Sequence, residues 1–179
     1  MSDLEKFSMQ VTERTKENYK AFELLFDKQL YGVCIGLLRQ ELDTLIRLNY
    51  LNVLEDNNKK IEIITKSVEK GLWGLNKRIS DAEMKKNIPN NLGWANNVYE
   101  FGSRFIHLSG FHLYKLEDPI TKIHTDELNK IIGYLEDKHG FKKVENLNFQ
   151  HLLNYLPDVM EKIIENNLEE LNILESTIC

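Results

Sequence analysis

Ser103, Arg104 and His107 lie within little more than one helical turn of each other, and Glu100 stands one turn before Ser103 and Arg104. On a continuous helix these side chains share a face with Phe111 and Tyr114, placing an imidazole beside a hydroxyl, a permanent cation and a carboxylate. An imidazole so placed can move a proton while a guanidinium holds a phosphate, which is the chemistry needed to cut a phosphodiester without a metal. The same groups can equally form an inert network that joins two helices. A second set lies upstream. Gly32, Gly36, Arg39, Asp43, Arg47 and Tyr50 fall within an arc of about 80° at 100° per residue. Asp43 is four residues from each arginine and can pair with both. Each glycine costs about 1 kcal/mol relative to Ala in a helix interior, so two on one stripe predict close approach of another backbone or a cleft. Ser103, Arg104 and His107 are therefore candidate catalytic residues, and Arg39, Asp43 and Arg47 candidate substrate-binding ones.

Other polar residues point to structure. Glu41 falls amid Leu37, Cys34, Leu45 and Leu48, where a carboxylate needs a partner such as an Arg or His from a neighbouring helix. His112 falls on an aromatic face and reads as a hydrogen-bonded core residue. His124, His139 and His151 fall near helix ends, where capping and helix-dipole roles are the ordinary ones. His107 and His112 are five residues apart, about 140° around a helix, and no HExxH or CxxC spacing occurs, so no metal site is expected. No glycine-rich phosphate loop follows a strand, and no cofactor is expected. A small-ligand pocket lined by Tyr31, Trp94 and Tyr99 is a further arrangement that the residue types allow.

The elements that must position these residues are helical almost throughout. Apolar residues recur at three and four in Leu4, Phe7 and Val11 and again in Tyr19, Phe22, Leu25 and Phe26, and no strand-like alternation appears. The periodicity predicts helices over about 3–27, 29–55 and 58–71, the last stopping near Gly71 and Gly74. Ser80-Asp81-Ala82-Glu83 has the form of a capping box opening a short helix. Pro89-Asn90-Asn91 breaks the chain before a long helix over about 91–115, which Asp118-Pro119 ends. Helices over about 125–139, closed by Gly140, and 148–155 follow, with Pro157 in the first turn of a last helix reaching about 175. Connections this short predict an all-α, antiparallel up-and-down bundle, a single domain over 1–179.

Composition limits the function further. The chain has 179 residues, 42% hydrophobic and 28% charged, with a net charge of −5, so it should repel polyanions as a whole and bind them only locally. Residues 57–86 hold eight basic side chains against four acids, and residues 157–179 hold six acids against one base. The two read either as solvated faces that attract each other or, for the first, as a surface for a polyanion. Mostly apolar stretches free of charge reach ten residues, as in Gln29–Leu38, whereas a spanning helix needs about 20, and the acidic start MSDLEKF is unlike a signal peptide. A cytoplasmic protein that does not enter membranes is expected, with Cys34 in an apolar run and Cys179 at the end forming no disulfide.

The run YEFGSRFIHLSGFH (Tyr99–His112), preceded by LLRQELDTLIRLNYL (Leu37–Leu51), resembles divergent branches of the HEPN superfamily, in which an Arg and an acid on an early helix face a later helix with a Ser and a His. The resemblance covers about a third of the chain. It implies a helical bundle, frequently a homodimer, encoded in bacterial stress, toxin–antitoxin or phage-defence systems beside a cognate partner such as an antitoxin, with metal-independent RNA cleavage in the active branches. Those active members carry an Arg and a His separated by four to six residues. Here Arg104 precedes His107 by two intervening residues and His112 by seven, so Arg39 or Arg47 would have to supply the arginine across the helix pair. The expected function is RNA binding or metal-independent cleavage, with a non-catalytic interaction domain as the alternative.

Overall fold

Ser2 opens the first helix with a reciprocal cap, its Oγ accepting the Glu5 amide at 3.2 Å while the Glu5 carboxylate accepts the Ser2 amide at 2.6 Å. Helix α1 spans Asp3–Asp27 and buries Phe7, Val11, Thr15 and Phe22 along one side. It ends at Gln29, which is left-handed (φ +57°), with the Leu30 amide returning to the Leu25 carbonyl at 3.0 Å. That turn delays α2 to Tyr31–Asn52, two residues later than the periodicity predicts. The Asp56 carboxylate accepts the Asn58 and Lys59 amides and starts α3 (Asn57–Lys70), which Gly71 closes at φ +63°. Ser80 caps α4 (Asp81–Lys85) by accepting the Glu83 amide. The computed structural model describes residues 1–89, 92–142 and 144–178. The break expected at Asn90 and Asn91 and the terminal Cys179 lie outside the described residues.

Helix α5 spans Trp94–Ile106 and corrects the expectation of one helix to residue 115. His107 turns extended (φ −92°, ψ 142°), and the chain continues through a 3₁₀ turn at Gly110–Leu113. Ser109 makes the change possible: its hydroxyl donates to the Arg104 carbonyl at 2.7 Å and accepts the Phe111 amide at 3.2 Å. The driving force is burial of Phe111, which folds back edge-on to Phe105 with centroids 5.5 Å apart. Burying one such ring contributes about 2–3 kcal/mol, against a few helix hydrogen bonds exchanged for others of similar strength. A second 3₁₀ turn at Pro119–Lys122 leads to α6 (Thr125–His139), ended by Gly140 at φ +64°. Helices α7 (Phe149–Leu153) and α8 (Leu156–Ile178) complete an all-helical bundle, with no strand among the described residues.

Helix α2 is the centre. Cys34, Ile35, Leu38, Leu42, Leu45, Ile46, Leu48 and Leu51 are all buried, so it is covered on most sides, chiefly by α8 and then by α5. Its close partner on α5 is Gly102, where an added Cβ would stand 3.1 Å from the Cβ of Arg39. None of the described helices is long and apolar enough to cross a membrane.

Candidate functional site

The polar stripe of α2 survives in the structure, and α5 covers only its first half. Gly32 faces the Tyr114 ring, Gly36 faces the Ile106 side chain, and Arg39 lies under Gly102. The glycines thus admit side chains, not the backbone that the sequence predicts. A comparably close approach falls one turn on, where the Arg39 side chain lies against Gly102 of α5. Arg39 is 7% exposed. It pairs with Asp43, its Nε donates to Ser103 Oγ at 3.2 Å, and its guanidinium lies 3.4 Å from the centre of the Tyr99 ring. Ser103 Oγ in turn donates to the Tyr99 carbonyl at 2.7 Å. Lys85 caps the Tyr99 ring at 3.8 Å while pairing with Glu100 at 2.5 Å. Desolvation by this packing raises the Tyr99 phenol above its ordinary pKa of 10.0, with the Arg39 charge opposing.

The other half of the stripe opens. Arg47 donates to the Asp43 carbonyl at 3.0 Å and to Asp81 at 3.2 Å, and lies 5.5 Å from the Trp73 ring centre. Asp43 and Arg47 line a groove of about 390 Å³ together with Arg14 from α1, Ser67 from α3, and Trp73 and Arg78 from the connection to α4. Arg14 is held by a hydrogen bond to the Gln40 carbonyl at 2.9 Å, and Arg78 is exposed. Three guanidiniums therefore face one space: Arg47 is paired with Asp81 and Asp43, and Asp43 with Arg39, whereas among the described residues neither Arg14 nor Arg78 pairs with a carboxylate. An arrangement of this kind favours a dianionic or polyanionic occupant, and the indole offers a face for a planar ring.

The structure does not assemble the expected second face. Within α5, Ser103 meets Arg39 on α2, while Arg104 reaches Glu127 on α6 at 2.5 Å with Phe111 beneath its guanidinium. His107 is exposed in extended backbone, and its carbonyl meets the His112 ring at 3.1 Å. His112 is likewise exposed, not a core residue as its position on a longer helix predicts. Tyr31, Trp94 and Tyr99 are also dispersed: Tyr31 contacts Phe26, Trp94 stacks on Tyr134 at 5.4 Å, and Tyr99 sits under Arg39.

Glu41 is fully buried as predicted, but its partners are neutral rather than an Arg or His. Thr15 Oγ donates to it at 2.7 Å, Asn18 Nδ2 at 2.6 Å and Asn167 Nδ2 at 3.1 Å. The three terminal histidines hold helix ends: His124 caps α6, His151 completes the α7 capping box, and His139 closes α6 against Tyr134. Among the described residues no group of three or more His, Cys, Asp or Glu side chains could hold a metal. Arg14 and Trp73 were not legible as site residues. Arg14 joins the groove across 33 residues of chain from Arg47, and the only local signal for Trp73 is an indole set between Gly71 and Gly74 within the basic segment.

Comparison with known proteins finds no match, neither to a family model, nor to a curated protein, nor to a solved structure.

Proposed function

We propose that this chain is an HEPN-like, antiparallel helical domain that binds RNA in the cytoplasm, as part of a bacterial stress or defence system. The observation that carries the reading is the groove shared by Arg14, Arg47 and Arg78 beside Trp73. Guanidiniums would hold successive phosphates and the indole would stack on a base, while the net negative charge of the rest of the molecule confines binding to this strip. Metal-independent cleavage through His107, with Arg104 and Ser103, is the weaker form of the proposal, since Arg104 is engaged by Glu127 and Ser103 by Arg39. Pairing with a second copy or with an antitoxin-like protein has support of its own in the exposed side chains of Ile106, Leu108, Leu113 and Leu116, the feature that also favours the interaction-domain reading.

The test is fluorescence anisotropy of a labelled single-stranded RNA of mixed sequence in EDTA, with cleavage followed on gels. Arg14→Ala and Arg78→Ala remove exposed guanidiniums and should each weaken binding about five- to tenfold without loss of fold. Binding that both variants retain in full would sink the groove. Cutting that disappears in His107→Ala would restore the ribonuclease reading, and sedimentation of the wild type would decide whether it pairs.

A further inference from the structure

A second cleft lies where the end of α1 meets the segment between α5 and α6 and the start of α7. It has a volume of about 540 Å³, within the range of small-molecule sites. Three rings line it: Tyr31, Tyr114 and Phe149. They are held before any ligand arrives, since Tyr114 meets Phe149 edge-on at 5.7 Å, Phe149 stacks on Phe105 at 5.8 Å, and Phe26 braces Tyr31 at 5.5 Å. The Gln29 and Gln150 amides also line the cleft. Among the described residues neither amide, nor the hydroxyl of Tyr31 or Tyr114, makes a hydrogen bond. Three charged residues line the rim: Glu117 pairs with Lys122 at 2.6 Å, Asp118 accepts the Ile120 and Phe149 amides, and Lys115 pairs with no carboxylate among the described residues.

Gln29 is the informative residue. It occupies the left-handed position that ends α1, where glycine avoids the clash a Cβ makes and is the ordinary choice. A long amide at this position is disfavoured by the fold, and the cleft is what its side chain reaches. We infer that this cleft binds an uncharged nucleobase or nucleoside, the ring held among Tyr31, Tyr114 and Phe149 and its polar edge read by the Gln29 and Gln150 amides. A side-chain amide presents a donor beside an acceptor, which matches the adjacent donor and acceptor of a base edge. The lining carries one lysine, Lys115, against two carboxylates, Glu117 and Asp118, a balance that disfavours a phosphate there, unlike the arginine groove. The inference stands whether or not that groove holds RNA.

The experiment is saturation-transfer NMR and thermal melting of the full chain with adenosine, guanosine, cytidine and uridine, each also as its 5′-monophosphate. At least one nucleoside should receive saturation and raise the melting temperature, and its monophosphate should bind no tighter. Gln29→Gly should melt at a higher temperature than wild type without ligand, yet bind that nucleoside about tenfold more weakly, as expected for one lost hydrogen-bonded edge. Gln150→Ala should weaken it similarly, and Arg78→Ala should leave it unchanged. Failure of all four nucleosides to bind, or unaltered affinity in Gln29→Gly, would overturn the inference. Loss of nucleoside binding in Arg78→Ala alone would also overturn it, by moving the base into the arginine groove.

Discussion

Glu41 shows how one side chain can tie three helices together. Its carboxylate is sealed from solvent and accepts from Thr15 and Asn18 on α1 and from Asn167 on α8, so α2 is held to both neighbours by a single acceptor. Removing it strands two buried donors, Thr15 and Asn167, and the half-buried Asn18 at once. Glu41→Ala should therefore cost about 3–5 kcal/mol in urea unfolding, combining the desolvation of those donors with a small cavity. A loss below about 1 kcal/mol would mean that water or a shifted side chain takes its place. Cys34 makes the opposite case, a reactive group silenced by burial. Fully buried, with its Sγ 3.9 Å from the Phe22 carbonyl of α1, its thiol is pushed by desolvation from an ordinary pKa of 9.0 up to about 11. The unfolded chain releases this proton first, so Cys34 contributes stability that is present below about pH 9 and lost between about pH 9 and 11. Native protein should resist alkylation at Cys34, and Cys34→Ala should show a shallower decline of melting temperature over that range.

At the scale of elements, α6 and α8 are joined by a titratable contact. His139, the last residue of α6, meets the Tyr134 hydroxyl at 2.9 Å and stands 3.9 Å from Asp158 on α8, with only 8% of its side chain exposed. Burial lowers its pKa below the ordinary 6.5, an effect that Asp158 opposes and Lys162 reinforces. The unfolded state thus binds the proton more readily, so the stability His139 contributes is complete above about pH 6.5 and is lost as pH falls through its lower folded value. Urea midpoints should drop on going from about pH 7.5 to about pH 5. His139→Gln, which keeps a polar partner for Tyr134, should show a smaller drop. An unchanged drop in that variant would place the acid sensitivity elsewhere. The fate of α5 belongs to the same scale. Its sequence is compatible with a helix to residue 115, and the aromatic cluster of Phe101, Phe105, Phe111 and Phe149 ends it nine residues sooner.

For the whole molecule, charge placement matters more than net charge. The chain carries −5, yet the groove gathers three arginines from α1, α2 and the connection to α4. If three phosphates are neutralised there, the logarithm of RNA affinity should fall with the logarithm of salt concentration at a slope of about −2, taking roughly 0.7 per phosphate on a single strand. Arg78→Ala should flatten that slope by about 0.7. A slope near zero would show that binding does not run through the arginines.

The boundary between what the chain spells out and what folding decides follows the range of the interactions. Helix type and most boundaries are local: the Ser80 cap, the Gly71 and Gly140 stops and the three-and-four spacing each act within a turn or two, and all are readable. The Arg39–Asp43–Arg47 ladder was readable for the same reason, its members being four residues apart on one helix. Burial of Glu41 was legible from its place among leucines, but not its donors, which come from residues 23 to 126 positions away. The arginine groove needed α1 to bring Arg14 over α2, and the separation of His107 from Ser103 and Arg104 needed Phe111 to find Phe105. Spacing along one helix determines the first group of features; the second depends on which distant surfaces exclude water together, and only the packed tertiary structure decides that.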